Sequence, residues 1–228
     1  MRIRILQGID MASQAEGLAV AIDLFRATST LCYLFANGAR CVIPLEHLKE
    51  AYRMKSQNPD WILMGERKTR PQPGFDFGNS PAEIERIDFS GRTVIHTTTT
   101  GTRGIVRAAG EEVITGSFAN CAAVVHYLQS RRVDRVSLLA LGGRPEAEPH
   151  EDTICAEYIA ALLRGDQPDF SSVKDRLRRH SSAEKFFDPE MLWTPERDFD
   201  LCLALDRFDF VLRREMSEAG RFVLHKAD

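Results

Sequence analysis

Six short apolar runs recur through residues 1–165: Leu18–Ile22, Arg40–Ile43, Trp61–Met64, Thr93–His96, Glu112–Thr115 and Arg135–Leu141. All six read as strands, and Leu18–Ile22 suits one buried on both faces. Helical stretches separate them, expected after Ile22 to about Ala36, from Leu45 to about Ser56, and from about Thr102 to Ala109. Two more are expected from about Phe118 to Ser130 and from about Glu151 to Leu163. Gly38, Gly110 and Gly165 follow helices, where glycine takes the left-handed conformation at little cost. Ser80-Pro81-Ala82-Glu83 reads as a helix start, with Ser80 as cap, Pro81 at the first helical position and Glu83 closing a capping box. Strands alternating with helices on short links dictate an α/β fold, with a largely parallel or mixed sheet and helices on both faces.

Residues 166–228 differ. About 40% of them are charged, against about 23% of residues 1–165, which predicts a smaller buried fraction. Helices over the sheet or its edge are expected at 171–206, and a terminal strand pair at Phe208–Leu212 and Arg221–His225. No linker separates this region. The expectation is a single domain over 1–228, with an α/β core at 1–165 that carries the site.

Composition enters by exclusion. A net charge of -3 argues against a nucleic-acid coat. No apolar stretch approaches the ~18 residues of a membrane span. The five cysteines are widely spaced and form no CxxC pair, so zinc and a disulfide framework are not expected. A cytoplasmic protein with reduced thiols is the resulting expectation. The six histidines show no metal-ligand spacing, and His96 reads as a core residue.

Ligands of open α/β sheets bind beyond the carboxyl ends of the strands. The segments leaving those ends are rich in hydroxyls, glycine and charge: Asp23 to Thr30, Gly65-Glu66-Arg67, Gly74 to Pro81, Thr97 to Thr102, Gly116 to Asn120, and His150-Glu151-Asp152. Thr97 to Thr102 reads equally well as an anion site at a helix start or as a polar turn with a threonine cap. Asp23 with Arg26 is either a catalytic carboxylate beside an anion-binding guanidinium or a capping pair. The aspartyl-phosphate motif of haloacid-dehalogenase phosphatases needs a second Asp two residues on, where Phe25 stands. The loop from Gly65 to Asn79 is long enough for a lid or binding loop, and Phe75 and Phe77 can pin it to the body. Glu151 and Asp152 open a helix, where they serve either the dipole or a hard cation such as Mg²⁺.

Taken in order, Asp23-Leu-Phe-Arg-Ala-Thr-Ser-Thr30, Ala36-Asn-Gly-Ala39, Gly65-Glu-Arg67, Gly74-Phe-Asp-Phe-Gly-Asn-Ser-Pro81, Thr98-Thr-Thr-Gly-Thr102, Gly116-Ser-Phe-Ala-Asn120 and Glu151-Asp152 resemble the 2-phosphosulfolactate phosphatase (ComB) family. The resemblance covers most of the chain. It implies a three-layer α/β/α architecture and a Mg²⁺-dependent phosphatase that converts 2-phospho-3-sulfolactate to 3-sulfolactate and phosphate, towards coenzyme M. On that reading Asp23, Glu66 and Asp152 are candidate metal or catalytic carboxylates, and Arg26 and Arg67 candidate catalytic cations. Thr28, Ser29, Asp76, Asn79, Thr99, Thr100, Gly101 and Thr102 are candidates to hold the phosphate or the other anionic groups. Three positions depart from the family pattern: Thr100 for Asn, Thr69 for Gly, and Ala156-Glu157 for Ala-Gly. Glu157 is expected to add negative charge near the anion site. The alternatives are a phosphatase of another small 2-phospho acid, and a non-catalytic anion-binding regulatory protein on the same scaffold. A homodimer is the base-rate expectation.

Overall fold

The structure, a computed structural model, describes residues 1–143 and 150–227. The described strands are β1 (Arg2–Gln7), β2 (Leu18–Ile22), β3 (Cys41–Pro44), β4 (Ile62–Gly65), β5 (Thr93–Thr97), β6 (Glu112–Gly116), β7 (Arg135–Ala140), β8 (Leu212–Met216) and β9 (Phe222–Lys226). The described α-helices are α1 (Ala27–Ala36), α2 (Leu48–Gln57), α3 (Pro81–Ile84), α4 (Gly101–Arg107), α5 (Cys121–Ser130), α6 (Glu151–Arg164), α7 (Phe170–Arg178), α8 (Glu184–Phe187) and α9 (Glu196–Cys202).

Side-chain alternation along the strands builds the layers. Leu18, Val20 and Ile22 of β2 pack into one core with Val124 and Leu128 of α5 and Ile154 and Ile159 of α6. Ala19 and Ala21, which point to the other face, share a second core with Leu31 and Leu34 of α1 and Ile105 of α4. Ile43, Leu63 and Ile95 turn to a third core with Ala51 and Met54 of α2. Val42, Met64 and Val94, one residue on from each or one before, return to the second. Both faces are therefore buried under helices, which explains why these strands read as continuous apolar runs.

One mixed sheet runs in the order β1-β7-β2-β6-β8-β9-β3-β5-β4. β1, β7, β2 and β6 are mutually parallel, as are β3, β5 and β4. The hairpin β8-β9 joins the two groups by antiparallel pairing on each side. Three successive antiparallel steps leave the groups running in opposite senses. α4 packs against β2, β3 and β5, and residues that follow strands of both groups line one cleft.

Several expectations are corrected. The predicted strand pair exists, but it starts at Leu212 rather than Phe208 and lies in the middle of the sheet. β1 was not anticipated; its alternating Arg2, Arg4 and Ile3, Ile5 mark a half-exposed edge strand rather than a buried run. α2 begins at Leu48, because Leu45 still follows β3, its N–H bonded to the His96 carbonyl. Ser80 caps α3 as expected, but Glu83 accepts from Gly78 N at 2.8 Å instead of closing a capping box. All five cysteines are free and buried.

Candidate active site

The residues that follow β2, β4, β5 and β7 line one cleft of about 390 Å³, together with a segment around α8. Asp23 leaves β2 directly. Its Oδ1 accepts from Ala27 N at 3.1 Å, and no donor to Oδ2 is found among the described residues. Asp152, in the first turn of α6, accepts from Leu24 N and Gly142 N, both at 2.7 Å, and so ties the ends of β2 and β7 together. Glu151 precedes it and His150 caps the turn, Nδ1 lying 2.7 Å from Glu151 Oε2 and 3.9 Å from Asp152 Oδ2.

These charges oppose one another at close range. Burial pushes the Asp23 carboxyl up to about 6 against the pull of the Ala27 N–H, and Glu151 and Glu66 push the same way. Burial also holds Asp152 well above the usual carboxylate range, reinforced by Glu151 and Asp23. His150 Nδ1 and Glu151 Oε2 are buried without a well-aligned hydrogen bond. One ligand atom each from His150, Glu151 and Asp152 lie within 4.8 Å of one another. Repelling carboxylates and an orphaned buried oxygen fit a hard divalent cation, whose charge would relieve both.

Glu66 also lines the cleft. It accepts from Thr69 N at 2.7 Å, Thr99 N at 2.7 Å and Thr99 Oγ1 at 3.0 Å. The threonine run therefore buttresses a carboxylate. Thr98 N and Thr102 N are likewise spent on Thr102 Oγ1 and Thr98 Oγ1. Thr99 and Thr100 still face the cleft. Asn79 does too; its Oδ1 lies 3.2 Å from Nε2 of the buried His96, leaving the amide nitrogen to the cleft.

The positive wall has contributors from distant parts of the chain. Arg26 lines the cleft, with Nη1 2.6 Å from Asp198 Oδ2 and 2.7 Å from the Trp193 carbonyl. Lys185 donates to the Phe25 carbonyl at 3.0 Å, and no carboxylate pairs with it among the described residues. Lys68 stands exposed at the rim. Residues 166–228 thus supply Lys185, Ser181 and Ser182 to the cleft and Asp198 and Trp193 behind it. Sequence reasoning missed these. Lys185 sits in an ordinary charged stretch, and only the partnership with Arg26 makes Asp198 visible.

Other predicted residues are engaged elsewhere. Arg67 donates to the Glu66 and Glu46 carbonyls and to Thr97 Oγ1, holding three strand ends together. Exposed Asp76 accepts from Lys55 Nζ and Leu63 N, both at 2.8 Å, sealing the β4 edge. Thr28 Oγ1 bonds the Asp23 backbone and Ser29 Oγ the Leu24 carbonyl, so both shape the turn behind Asp23. Thr102 Oγ1 donates to the Leu45 carbonyl. Gly101 gives close approach instead of a contact: a Cβ there would lie 2.6 Å from Asp23 Oδ2 and 2.4 Å from the Ala27 Cβ. Glu157, nearly two helical turns beyond Glu151, is exposed and absent from the cleft wall.

Known proteins share this pattern. The sequence profile of the family described as 2-phosphosulpholactate phosphatase matches residues 4–216. A relative from Thermotoga petrophila is 34% identical over 204 residues, spanning 85% of this chain and 87% of the relative. One from Symbiobacterium thermophilum is 41% identical over 68% of this chain and 67% of its own length. One from Carboxydothermus hydrogenoformans is 32% identical over 100% of this chain and 98% of its own length. All three are named probable 2-phosphosulfolactate phosphatases.

Proposed function

Because this chain belongs to the 2-phosphosulfolactate phosphatase family, we propose that it is a phosphoric monoester hydrolase acting on 2-phospho-3-sulfolactate, releasing 3-sulfolactate and phosphate with Mg²⁺. The observation that carries this reading is the gathering of carboxylates and cations around one cleft. Asp23, Glu151 and Asp152 converge on one side, and Arg26, Lys185 and Lys68 offer positive charge around it. Phosphoryl transfer asks for that distribution, since charge spreads over three equatorial oxygens while a nucleophile and leaving group stay in line.

Asp23, Glu151 and Asp152 would hold the Mg²⁺ ion, with His150 beside them. The oxygens of Glu66 are already met by three donors. When bound, the ion neutralises developing phosphoryl charge and lowers the pKa of water. The chain's own groups do the rest. Lys185 and Arg26 bind anionic oxygens of the ester. Asn79 offers an amide N–H from a ring-anchored side chain. Lys68 meets the second anionic end of a substrate carrying carboxylate and sulfonate. Asp23 Oδ2, which meets no donor among the described residues, is left to act at the reacting bond. Borohydride trapping of the single-turnover mixture tells whether it attacks phosphorus, which forms an acyl phosphate that is reduced to homoserine at position 23, or directs a water, which leaves Asp23 unmodified.

A phosphate-release screen across 2-phospho acids, with and without Mg²⁺, tests the reading. It expects Mg²⁺-dependent release with 2-phospho-3-sulfolactate preferred. Preference for another 2-phospho acid corrects the substrate. Binding of the esters without release overturns the enzyme reading in favour of a regulatory anion-binding protein.

A further inference from the structure

Arg26, Thr69 and Trp193, far apart in sequence, close a circuit at the edge of the cleft. Arg26 Nη1 donates to the Trp193 carbonyl at 2.7 Å. Trp193 Nε1 donates to Thr69 Oγ1 at 3.0 Å. The Thr69 carbonyl lies 3.5 Å from Arg26 Nη2. The hydroxyl of Thr69 is used twice, since it also donates to the Lys68 carbonyl at 2.6 Å. The N–H of Thr69 meets Glu66 Oε2 at 2.7 Å. One residue therefore touches both the Glu66 carboxylate and the Arg26 guanidinium.

Thr69 holds this place against its own conformational preference. Its φ is +69°, next to Lys68 at +51°. A β-branched residue is an outlier there, and such outliers persist only where their surroundings hold them. Glycine would accept the conformation and keep both backbone contacts. What threonine adds is an acceptor for the indole N–H. Arg70 completes the arrangement, its guanidinium 4.6 Å from the centre of the Trp193 ring. Asp198 and the Trp193 carbonyl both take Nη1 of Arg26, and among the described residues the Thr69 carbonyl is the acceptor beside Nη2.

We propose that Thr69 and Trp193 are positioning residues for Arg26, and that their side-chain hydrogen bond sets the affinity of the cleft for its anionic ester. The proposal rests on the phosphatase reading above. Neither residue touches the reacting atoms. Loss of the bond loosens the guanidinium and weakens substrate binding, leaving the acidic wall and its chemistry in place.

The test measures phosphate release from 2-phospho-3-sulfolactate for the wild type, Thr69→Val, Thr69→Ser, Trp193→Phe and the Thr69→Val/Trp193→Phe double variant. Thr69→Val and Trp193→Phe should each raise KM by roughly 5- to 10-fold, the equivalent of one net hydrogen bond, with kcat within about twofold. Thr69→Ser keeps the acceptor and should keep the wild-type KM. The double variant should be no worse than either single one, because one bond is lost in all three. Trp193→Phe carries the test should Thr69→Val not fold. Wild-type KM in the single variants, multiplying effects in the double one, or loss of kcat at constant KM overturns the proposal while the phosphatase reading stands. A wild type that releases no phosphate removes both.

Discussion

Asp198 Oδ2 lies 2.6 Å from Arg26 Nη1, and the two side chains are 0% and 2% exposed. The other oxygen of Asp198 accepts from Ser80 Oγ at 2.7 Å and Ala82 N at 2.9 Å. A helix near the end of the described chain thus clamps the first helix of the α/β core and the start of α3.

This pair sets the first prediction. Burying an ion pair gains little net free energy, but removing one partner strands a charge. Asp198→Ala should cost about 3–5 kcal/mol in urea denaturation. The double variant Arg26→Met/Asp198→Leu should recover at least half of that loss. Costs that simply add would show that the pair is not the unit.

Asp23→Asn should lose activity and gain stability. Burial pushes the folded carboxyl up to about 6 from the usual 3.8, so the ionised form is disfavoured by folding and the cost is fully present above pH 6. In metal-free protein at pH 8 the variant should be more stable by about 1–3 kcal/mol. The difference should shrink as pH falls from 6 towards 4. Phosphate release should vanish. Near-normal kcat would remove Asp23 from the chemistry, and a destabilised variant would remove burial as the cause of its raised pKa.

Lys185→Met keeps the aliphatic stem and removes the charge. KM for the phosphate ester should rise about tenfold, on the scale of one charge-assisted hydrogen bond, and Lys185→Arg should restore part of it. Thermal unfolding should move little, since among the described residues the ammonium makes one hydrogen bond, to the Phe25 carbonyl, besides its approach to the Phe25 and Phe186 rings. An unchanged KM would place the lysine outside the substrate's reach.

His96 should give the protein an acid-sensitive term. Burial, aided by Arg67, depresses its pKa from 6.5 to about 3. The unfolded chain therefore binds a proton between those values that the folded chain refuses. Stability from this residue is complete above pH 6.5 and is lost as pH falls towards 3. Between pH 7 and pH 5 the loss should be about 2 kcal/mol. Comparing urea midpoints of the wild type and His96→Gln across that range isolates the effect, and parallel curves would reject it.

The sequence made the two-faced strands legible because Leu18–Ile22 and its counterparts must be apolar on both sides, and a run of that kind has few other uses. It also placed Asp23, Arg26, Glu66, Asn79, Thr99, Thr100 and Asp152 at strand ends, where the cleft lies. Direction was not legible. Arg67 adjoins Glu66 yet turns its guanidinium to carbonyls behind the cleft, and Asp76 turns to the β4 edge. Lys185 and Trp193 were hidden for a different reason. Their roles depend on where the segment from 166 onward returns, and that is a property of the sheet order rather than of any local pattern.

The position of β8 and β9 has a consequence for how the protein is made. Chains emerge from the ribosome in sequence order, at about 5–20 residues per second. β6 and β3 are both present long before residue 212 is synthesised, and each awaits the hairpin as its neighbour. During that interval a nascent chain carries two half-sheets with open hydrogen-bonding edges, the kind of surface that recruits chaperones or other nascent chains. Shortening the wait, by faster codons or by supplying the hairpin as a separate peptide, should raise the soluble yield of a protein whose finished form no longer shows the hazard.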